Sequence, residues 1–312
     1  ILKARGLDVR VAAFGEPKTD VARRARAGWS GSVETLDRAA PAPVLLDAVF
    51  GTGLDRPLDA GLAGQLARLR QQADFVLAAD VPSGVGSDDG ADFGAIKADV
   101  TIALGALKPA HLLHPSAGLC GHVICADIGI AAQSALSVVA RPRLTRPTAA
   151  DHKYTRGLVS VIAGEMGGAA ALAATAAARS GAGYVVLAGA QSGAFAQIPL
   201  SIVHRSIDAA LADPRTGALV IGPGLGRSDA ARALLDRVLA TDIPVVLDAD
   251  ALHLITPDQL TSRAAPCVLT PHEGEFQAAF GTLSGSKVDR ARQAASLCGA
   301  TVVLKGADTV LA

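Results

Sequence analysis

Carboxylates stand in or at the end of short apolar runs at Asp47, Asp80, Asp248 and Asp250, and lysines do so at Lys108 and Lys305. A carboxylate in such a place is expensive to bury unless it meets a cation or several donors, and it can serve as an acid or base. Leu45-Leu-Asp-Ala-Val-Phe-Gly-Thr-Gly-Leu-Asp-Arg-Pro57 follows Asp47 with a glycine-rich turn. Gly51 and Gly53 let backbone amides approach an anion, and Arg56 can pair with a phosphate. A strand-end Asp that only caps the turn fits the same spacing. Phe75-Val-Leu-Ala-Ala-Asp-Val-Pro-Ser-Gly84 repeats the theme with Asp80 before a tight Pro-Ser-Gly turn, and Gly105-Ala-Leu-Lys-Pro-Ala-His111 offers Lys108 to an anion or to solvent. Later come Val220-Ile-Gly-Pro-Gly-Leu-Gly226, Val245-Val-Leu-Asp-Ala-Asp-Ala-Leu252, Val268-Leu-Thr-Pro-His-Glu-Gly-Glu275 and Val302-Val-Leu-Lys-Gly-Ala-Asp-Thr-Val310. Three glycines admit a ligand to the backbone or make a plain turn, His272 is a ligand contact or a satisfied loop residue, and Lys305 beside Gly306 suits a phosphate.

The elements that must hold these residues follow from the apolar pattern. Non-alternating runs predict strands at Val9–Phe14, Val44–Phe50, Phe75–Ala79, Val100–Leu104, Val159–Ala163, Tyr184–Ala188, Ala218–Ile221, Val245–Leu247, Cys267–Leu269 and Thr301–Leu304. Helices are predicted between them at Leu58–Gln71, Ala169–Ser180, Ser228–Ala240 and Lys287–Cys298. Uniformly apolar strands alternating with helices indicate parallel α/β sheets, which bind ligands at the carboxyl ends of their strands. The Pro- and Arg-rich segment Arg141–Asp151 lacks periodicity and reads as a linker. It divides the 312 residues into an expected first domain 1–140, a linker 141–150 and a second domain 151–312.

Composition narrows the function. Lys plus Arg and Asp plus Glu number 29 each, so bulk charge does not favour nucleic acid or a membrane surface. With 50% apolar and 19% charged residues the chain can build large cores. Aromatics at 3% exclude a base-stacking platform. Cys120, Cys125, Cys267 and Cys298 form no C-x-x-C pair and read as reduced structural thiols of a cytoplasmic protein. The uncharged stretch Ser180–Val203 is interrupted by glycines, glutamines and Pro199, so it reads as strand, loop and strand rather than a membrane span.

The runs Asp-Ala-Val-Phe-Gly-Thr-Gly-Leu, Ala-Asp-Val-Pro-Ser-Gly and Gly-Ala-Leu-Lys-Pro-Ala-His, closed by Ala126-Asp-Ile-Gly-Ile130, resemble the NAD(P)H-hydrate epimerase domain in order and spacing. The resemblance implies a Rossmann-like three-layer α/β/α fold and interconversion of the R and S hydrates of NADH and NADPH. It implies a potassium ion held by Asp47 and Ser83, and substrate contacts from Gly51, Thr52, Gly53, Leu54, Asp55, Arg56, Pro57 and Asp80. Asp80 is the expected catalytic acid/base group, because epimerisation at the hydroxyl-bearing carbon needs proton traffic and stabilisation of an iminium-like intermediate.

In the second half, His-Lys-x-x-Arg-Gly (152–157), Gly-Ala-Ala (168–170), Arg-Ser-Gly-Ala-Gly (179–183), Gly-Pro-Gly-Leu-Gly, Asp-Ala-Asp-Ala-Leu, Thr-Pro-His-x-Gly-Glu and Leu-Lys-Gly-Ala-x-Thr resemble the ADP-dependent NAD(P)H-hydrate dehydratase domain, a ribokinase-like α/β/α fold. The resemblance implies that Ala169, Gly224, Gly226 and His272 face the hydrated nucleotide. It implies that Lys305, Gly306, Ala307, Asp308 and Thr309 bind ADP or ATP, accompanied by Mg2+. The turn Gly164-Glu-Met-Gly-Gly168 is about two residues shorter than the family loop. The tandem order, isomerase then lyase, is that of the bifunctional nicotinamide-nucleotide repair enzymes, from which a cytoplasmic homo-oligomer with small-molecule substrates, no nucleic acid and no membrane is expected.

The chain opens on Ile1 and stops at Ala312 directly after apolar runs, so a fragment or processed chain is expected. By the resemblance, an Asn-Asn-Gly-Gly-Asp-Gly loop belongs upstream and a Gly-Thr-Gly-Asp motif with the dehydratase's catalytic Asp belongs downstream. Weak or absent dehydration by this stretch alone is therefore expected. A ribokinase-type small-molecule kinase would explain the second half but leave Asp47, Asp80 and Ser83 without a role. A non-catalytic nucleotide-binding module is the remaining alternative.

Overall fold

The computed structural model describes residues 2–131, 133–143, 146–189 and 198–312. The chain divides into two compact units, Ile1–Ser137 and Val138–Ala312. Leu144 and Thr145 of the expected linker lie outside the described residues, as does 190–197 of the expected strand–loop–strand stretch.

The first unit holds a two-stranded parallel pair, β1 (Val11–Ala13) and β2 (Val33–Thr35), with α1 (Asp20–Ala27) between them in sequence. Its main sheet is wholly parallel, in the order β3 (Val44–Asp47), β4 (Phe75–Ala79), β5 (Val100–Leu104), β6 (His122–Ala126). The connection after β3 carries α2 (Ala60–Gln71). Asp59 caps that helix by accepting the amides of Gly61 and Leu62. Leu62, Leu66 and Leu69 form its buried stripe against Val76 and Ala78 of β4, each contributing about 1.5–3 kcal/mol by burial. The opposite sheet face carries exposed Val44, Leu46, Phe75, Leu104 and Ile124.

The second unit is an eight-stranded sheet. Its strands are β7 (Leu158–Ile162), β8 (Tyr184–Ala188), β9 (Val203–Arg205), β10 (Thr216–Ile221), β11 (Val245–Leu247), β12 (Cys267–Leu269), β13 (Thr301–Leu304) and β14 (Val310–Leu311). The order is β14-β13-β12-β11-β10-β7-β8-β9, parallel throughout except for β14 against β13. Among the described residues seven helices join them: α3 (Gly167–Arg179), α4 (Ile207–Leu211), α5 (Asp229–Leu239), α6 (Asp250–Leu254), α7 (Pro257–Thr261), α8 (Glu273–Phe280) and α9 (Lys287–Cys298). Ser228 caps α5, and Ser286 with Asp289 forms a capping box on α9. Leu235 and Val238 of α5 and Ala291, Ala294 and Cys298 of α9 pack into one core with Leu219, Leu247, Leu269 and Leu304. Among the described residues no helix is long and apolar enough to cross a membrane.

The long apolar strands and the four long helices fall within two residues of their predicted bounds, except that β3 stops at Asp47 rather than Phe50. The short elements β2, β6, β9, β14, α1, α4, α6, α7 and α8 are additions. Their two to eight residues carry too few apolar positions to show a period.

Two features of the core are testable. Ser160 Oγ is fully buried in β7 and has no hydrogen-bond partner among the described residues. Ser160→Ala removes an unsatisfied hydroxyl and should raise stability by about 1 kcal/mol, read as a higher urea midpoint. A lower midpoint would show that the hydroxyl is bonded. Cys120 is buried, and burial pushes its thiol up to about 11, whereas Cys125 is exposed. At pH 8 a thiol reagent should label Cys125 in the folded protein and reach Cys120 only on unfolding.

Candidate functional site

In the first unit the ends of β3, β4 and β5 converge. Asp47, last in β3, is 2% exposed. Its Oδ1 accepts the Ser83 hydroxyl at 2.5 Å and its Oδ2 accepts the Ser83 amide at 2.8 Å. The Phe50 amide in turn donates to Ser83 Oγ at 2.9 Å. Burial pushes the Asp47 carboxyl up, and the Ser83 hydrogen bonds only partly oppose it. Among the described residues no cation pairs with this carboxylate. Gly84 makes the approach possible: its φ is +102°, and a Cβ there would lie 2.7 Å from Ala95 Cα.

Asp80 follows β4 with a φ of +71°, a left-handed conformation rare for a residue with a Cβ. Three bonds hold it there. Its amide donates to Ile102 C=O at 2.8 Å, and the Leu104 amide donates to its Oδ1 at 3.0 Å. The ring Nε2 of His111 donates to its C=O at 2.7 Å. His111 Nδ1 accepts the Lys108 amide at 2.9 Å, which assigns the proton to Nε2. Lys108 Nζ donates to Asp80 Oδ1 and to Leu104 C=O. Oδ1 is thus occupied twice, while Oδ2 faces the glycine turn: a Cβ on Gly51 would lie 3.9 Å from it. Thr52, Gly53, Asp55, Arg56 and Pro57 line the same turn and are exposed, and Gly51 and Leu54 are half-buried.

In the second unit the predicted residues sit on the loops that follow β7, β10, β11, β12 and β13 or, for Ala169, in the first turn of α3, all at the carboxyl edge of the parallel strands. The turns after β7 and β10 lie backbone to backbone: Met166 donates its amide to Gly224 C=O at 2.9 Å. A Cβ on Gly224 would meet Met166 O at 2.3 Å and Ala169 Cβ at 3.0 Å, so only glycine fits. Asp250 Oδ2 accepts the Gly226 amide at 3.0 Å, and Arg227 donates to its Oδ1. Ala249, between the two aspartates, has a φ of +49°. Asp248 Oδ1 accepts from Thr270 at 2.8 Å and from Lys305 Nζ at 2.9 Å. Lys305 Nζ also lies 3.8 Å from Glu275 Oε2. His272 is the N-cap of α8, its Nδ1 accepting the Gly274 amide at 2.9 Å, with Nε2 3.3 Å from Glu275 Oε1. The structure therefore brings Ala169, Gly224 and Gly226 together and joins Lys305 to the His272 turn through Glu275. Among the described residues no three His, Cys, Asp or Glu gather as a metal cluster.

Sequence reasoning assigned His111, Glu165 and Lys287 no role. Glu165 accepts the Ser228 hydroxyl at 2.7 Å beside Gly226, and Lys287 bonds the turn after β13. The His-Lys-x-x-Arg-Gly motif lies elsewhere: Gly157 enters β7 at its amino end. There Lys153 sits over the rings of Tyr154 and Tyr184, and Arg205 and Arg215 each reach Asp213 at 2.7 Å. Hydrogen bonds from Arg215, seconded by Arg205, hold the Asp213 carboxyl far below its usual range.

A family model described as YjeF-related protein N-terminus matches residues 1–110, and one described as NAD(P)H-hydrate dehydratase matches residues 159–312. A protein of Mycobacterium tuberculosis named bifunctional NAD(P)H-hydrate repair enzyme Nnr is 38% identical over 308 residues, covering 93% of this chain and 63% of its own length. The chain belongs to the NAD(P)H-hydrate repair enzyme family. Family members of the same name from Coxiella burnetii and Synechocystis sp. are 36% and 32% identical, over 80% and 91% of this chain and 54% and 60% of their own lengths. The chain thus spans less than two thirds of these repair enzymes. The ADP/ATP-dependent NAD(P)H-hydrate dehydratase from Bacillus subtilis, co-crystallised with ATP and Mg2+, aligns with a TM-score of 0.47 at 33% identity, over 54% of this chain and 65% of that one.

Burial above all lowers the His111 pKa, with Lys108 adding to the effect and the Asp80 carbonyl opposing it. A histidine lowered in the folded state is protonated more readily when unfolded, so it removes stability as pH falls below about 6.5. Nitrogen NMR should find His111 neutral and protonated on Nε2 at pH 6. His111→Gln, which keeps a donor, should flatten the loss of stability below that pH. An imidazolium signal at pH 6 would contradict the assignment.

Proposed function

We propose that the chain repairs hydrated nicotinamide nucleotides. The first unit interconverts the R and S hydrates of NADH and NADPH, and the second takes part in ADP- or ATP-dependent dehydration of the S hydrate. The observation that carries the reading is Asp80. It is a carboxylate held at a strained strand end, with one oxygen bound by Lys108 and the Leu104 amide and the other turned to a glycine-rich turn. The tandem order of the two family matches supports it.

In this reading the hydroxyl takes up a proton from solvent and leaves as water while the Asp80 carboxylate faces the iminium-like carbon. Oδ2 then accepts the proton that water loses as it adds back to the ring, and returns it to solvent. Lys108 keeps Oδ1 from rotating into that role. The Gly51–Pro57 turn offers backbone and Arg56 to the substrate's phosphates. Asp47 and Ser83 suit a potassium ion, because they are hard oxygen donors and the buried carboxylate has no cation beside it among the described residues. Bound there, potassium would supply positive charge opposite anionic oxygens of the substrate.

In the second unit, Ala169, Gly224 and Gly226 offer the hydrated nucleotide a surface without bulk, and His272 joins through Nε2, since Nδ1 caps α8. Lys305, Gly306, Ala307, Asp308 and Thr309 form the adenine-nucleotide turn, and Mg2+ arrives with its phosphates. Such transfer rests on positioning and cations more than on covalent chemistry. Cytoplasmic residence and homo-oligomeric assembly belong to the same proposal.

Purified R hydrate of NADH should convert to the R/S mixture faster with the protein than without it. Asp80→Asn should slow this conversion by at least about 100-fold and leave ADP binding by calorimetry unchanged. Full epimerisation by the Asp80→Asn protein would remove Asp80 from the reaction.

A further inference from the structure

Lys287 opens α9, yet its side chain turns away from solvent, with 10% exposure. Its ammonium donates to Lys305 C=O at 3.2 Å, to Asp308 C=O, and to Asp308 Oδ1 at 2.6 Å. An ammonium has three donors, and all three end on the 305–309 turn. The turn closes directly over it: a Cβ on Gly306 would lie 2.5 Å from Nζ. A cation at the first position of a helix opposes the helix dipole, and a desolvated ammonium is stable only when paired. The turn's acceptors therefore fix Lys287, and Lys287 fixes the turn.

The anchor itself is held. Three residues on, Arg290 meets Glu273 in the first turn of α8 through two bonds of 2.8 Å, and this guanidinium keeps the Glu273 carboxyl below its usual range. Residues three apart share a helix face, so one face of α9 grips the 305–309 turn and the turn after His272 together.

We propose that Lys287 is a positioning residue for the anionic nucleotide: it shapes the 305–309 turn and pairs with the Asp308 carboxylate, so that phosphates meet backbone and Lys305. This rests on the reading of 305–309 as the adenine-nucleotide turn. Removing the ammonium takes from the Asp308 carboxylate its 2.6 Å ion pair beside the nucleotide turn.

The test measures ADP affinity by calorimetry and amide hydrogen exchange on the whole chain. Lys287→Met should weaken ADP about tenfold, and adding Asp308→Asn should recover at least about threefold. Exchange should quicken at 306–309 in Lys287→Met without ADP. Wild-type affinity in Lys287→Met, or no recovery in the double variant, would overturn the proposal, since a merely structural pair predicts no rescue. Should Lys287→Met fail to fold, Lys287→Gln carries the same comparison. If the unaltered protein binds no ADP, the nucleotide reading fails. Exchange at 306–309 then decides the clamp: unchanged protection in Lys287→Met refutes it, and faster exchange confined to that turn upholds it.

Discussion

The structure depends on one constraint: a carboxylate at the carboxyl end of a parallel strand must be met from another loop. Parallel strands are apolar along their length, so polar chemistry is confined to their ends. Each such carboxylate here has its own answer. Asp47 is met by the hydroxyl and amide of Ser83, Asp80 by Lys108 and the Leu104 amide, Asp248 by Lys305 and Thr270, and Asp250 by Gly226 and Arg227. These pairings stitch together loops far apart in sequence at the carboxyl edges of both sheets.

The pairings also account for where backbone strain is tolerated. Among the described residues the two non-glycine positions with positive φ are Asp80 and Ala249, and both sit at such strand ends. A conformation of this kind costs about 1–3 kcal/mol and persists only where the surroundings over-determine it. At Asp80 the surroundings are visible: His111 holds the carbonyl, Ile102 the amide and Lys108 the carboxylate. The strain turns Oδ2 toward the glycine turn.

Strands such as Phe75–Ala79 and Thr301–Leu304 were legible because a short, uniformly apolar run bounded by charge or glycine suits little besides a strand of a parallel sheet. So were Asp47, Asp80, Gly224 and Lys305, whose types are out of place in such runs unless they do something. The supporting residues were not legible. His111 reads as one more loop histidine until its ring meets a carbonyl 31 residues away. Lys287 reads as a solvated residue at a helix start, and its partner Asp308 lies 21 residues on. The edge strand β6 was hidden: it opens on His122, and three of its five residues are exposed. Local pattern reports burial and period, whereas these contacts depend on how loops meet in three dimensions.

The most direct measurement is a crystal structure of the protein with hydrated NADH bound. The hydroxyl-bearing ring carbon should lie over the Gly51–Gly53 turn, with its hydroxyl within about 3.2 Å of Asp80 Oδ2 and Lys108 still on Oδ1. A hydrated ring bound away from Oδ2, or an Asp80 released from Lys108 and rotated out of the site, would contradict a catalytic role for this carboxylate.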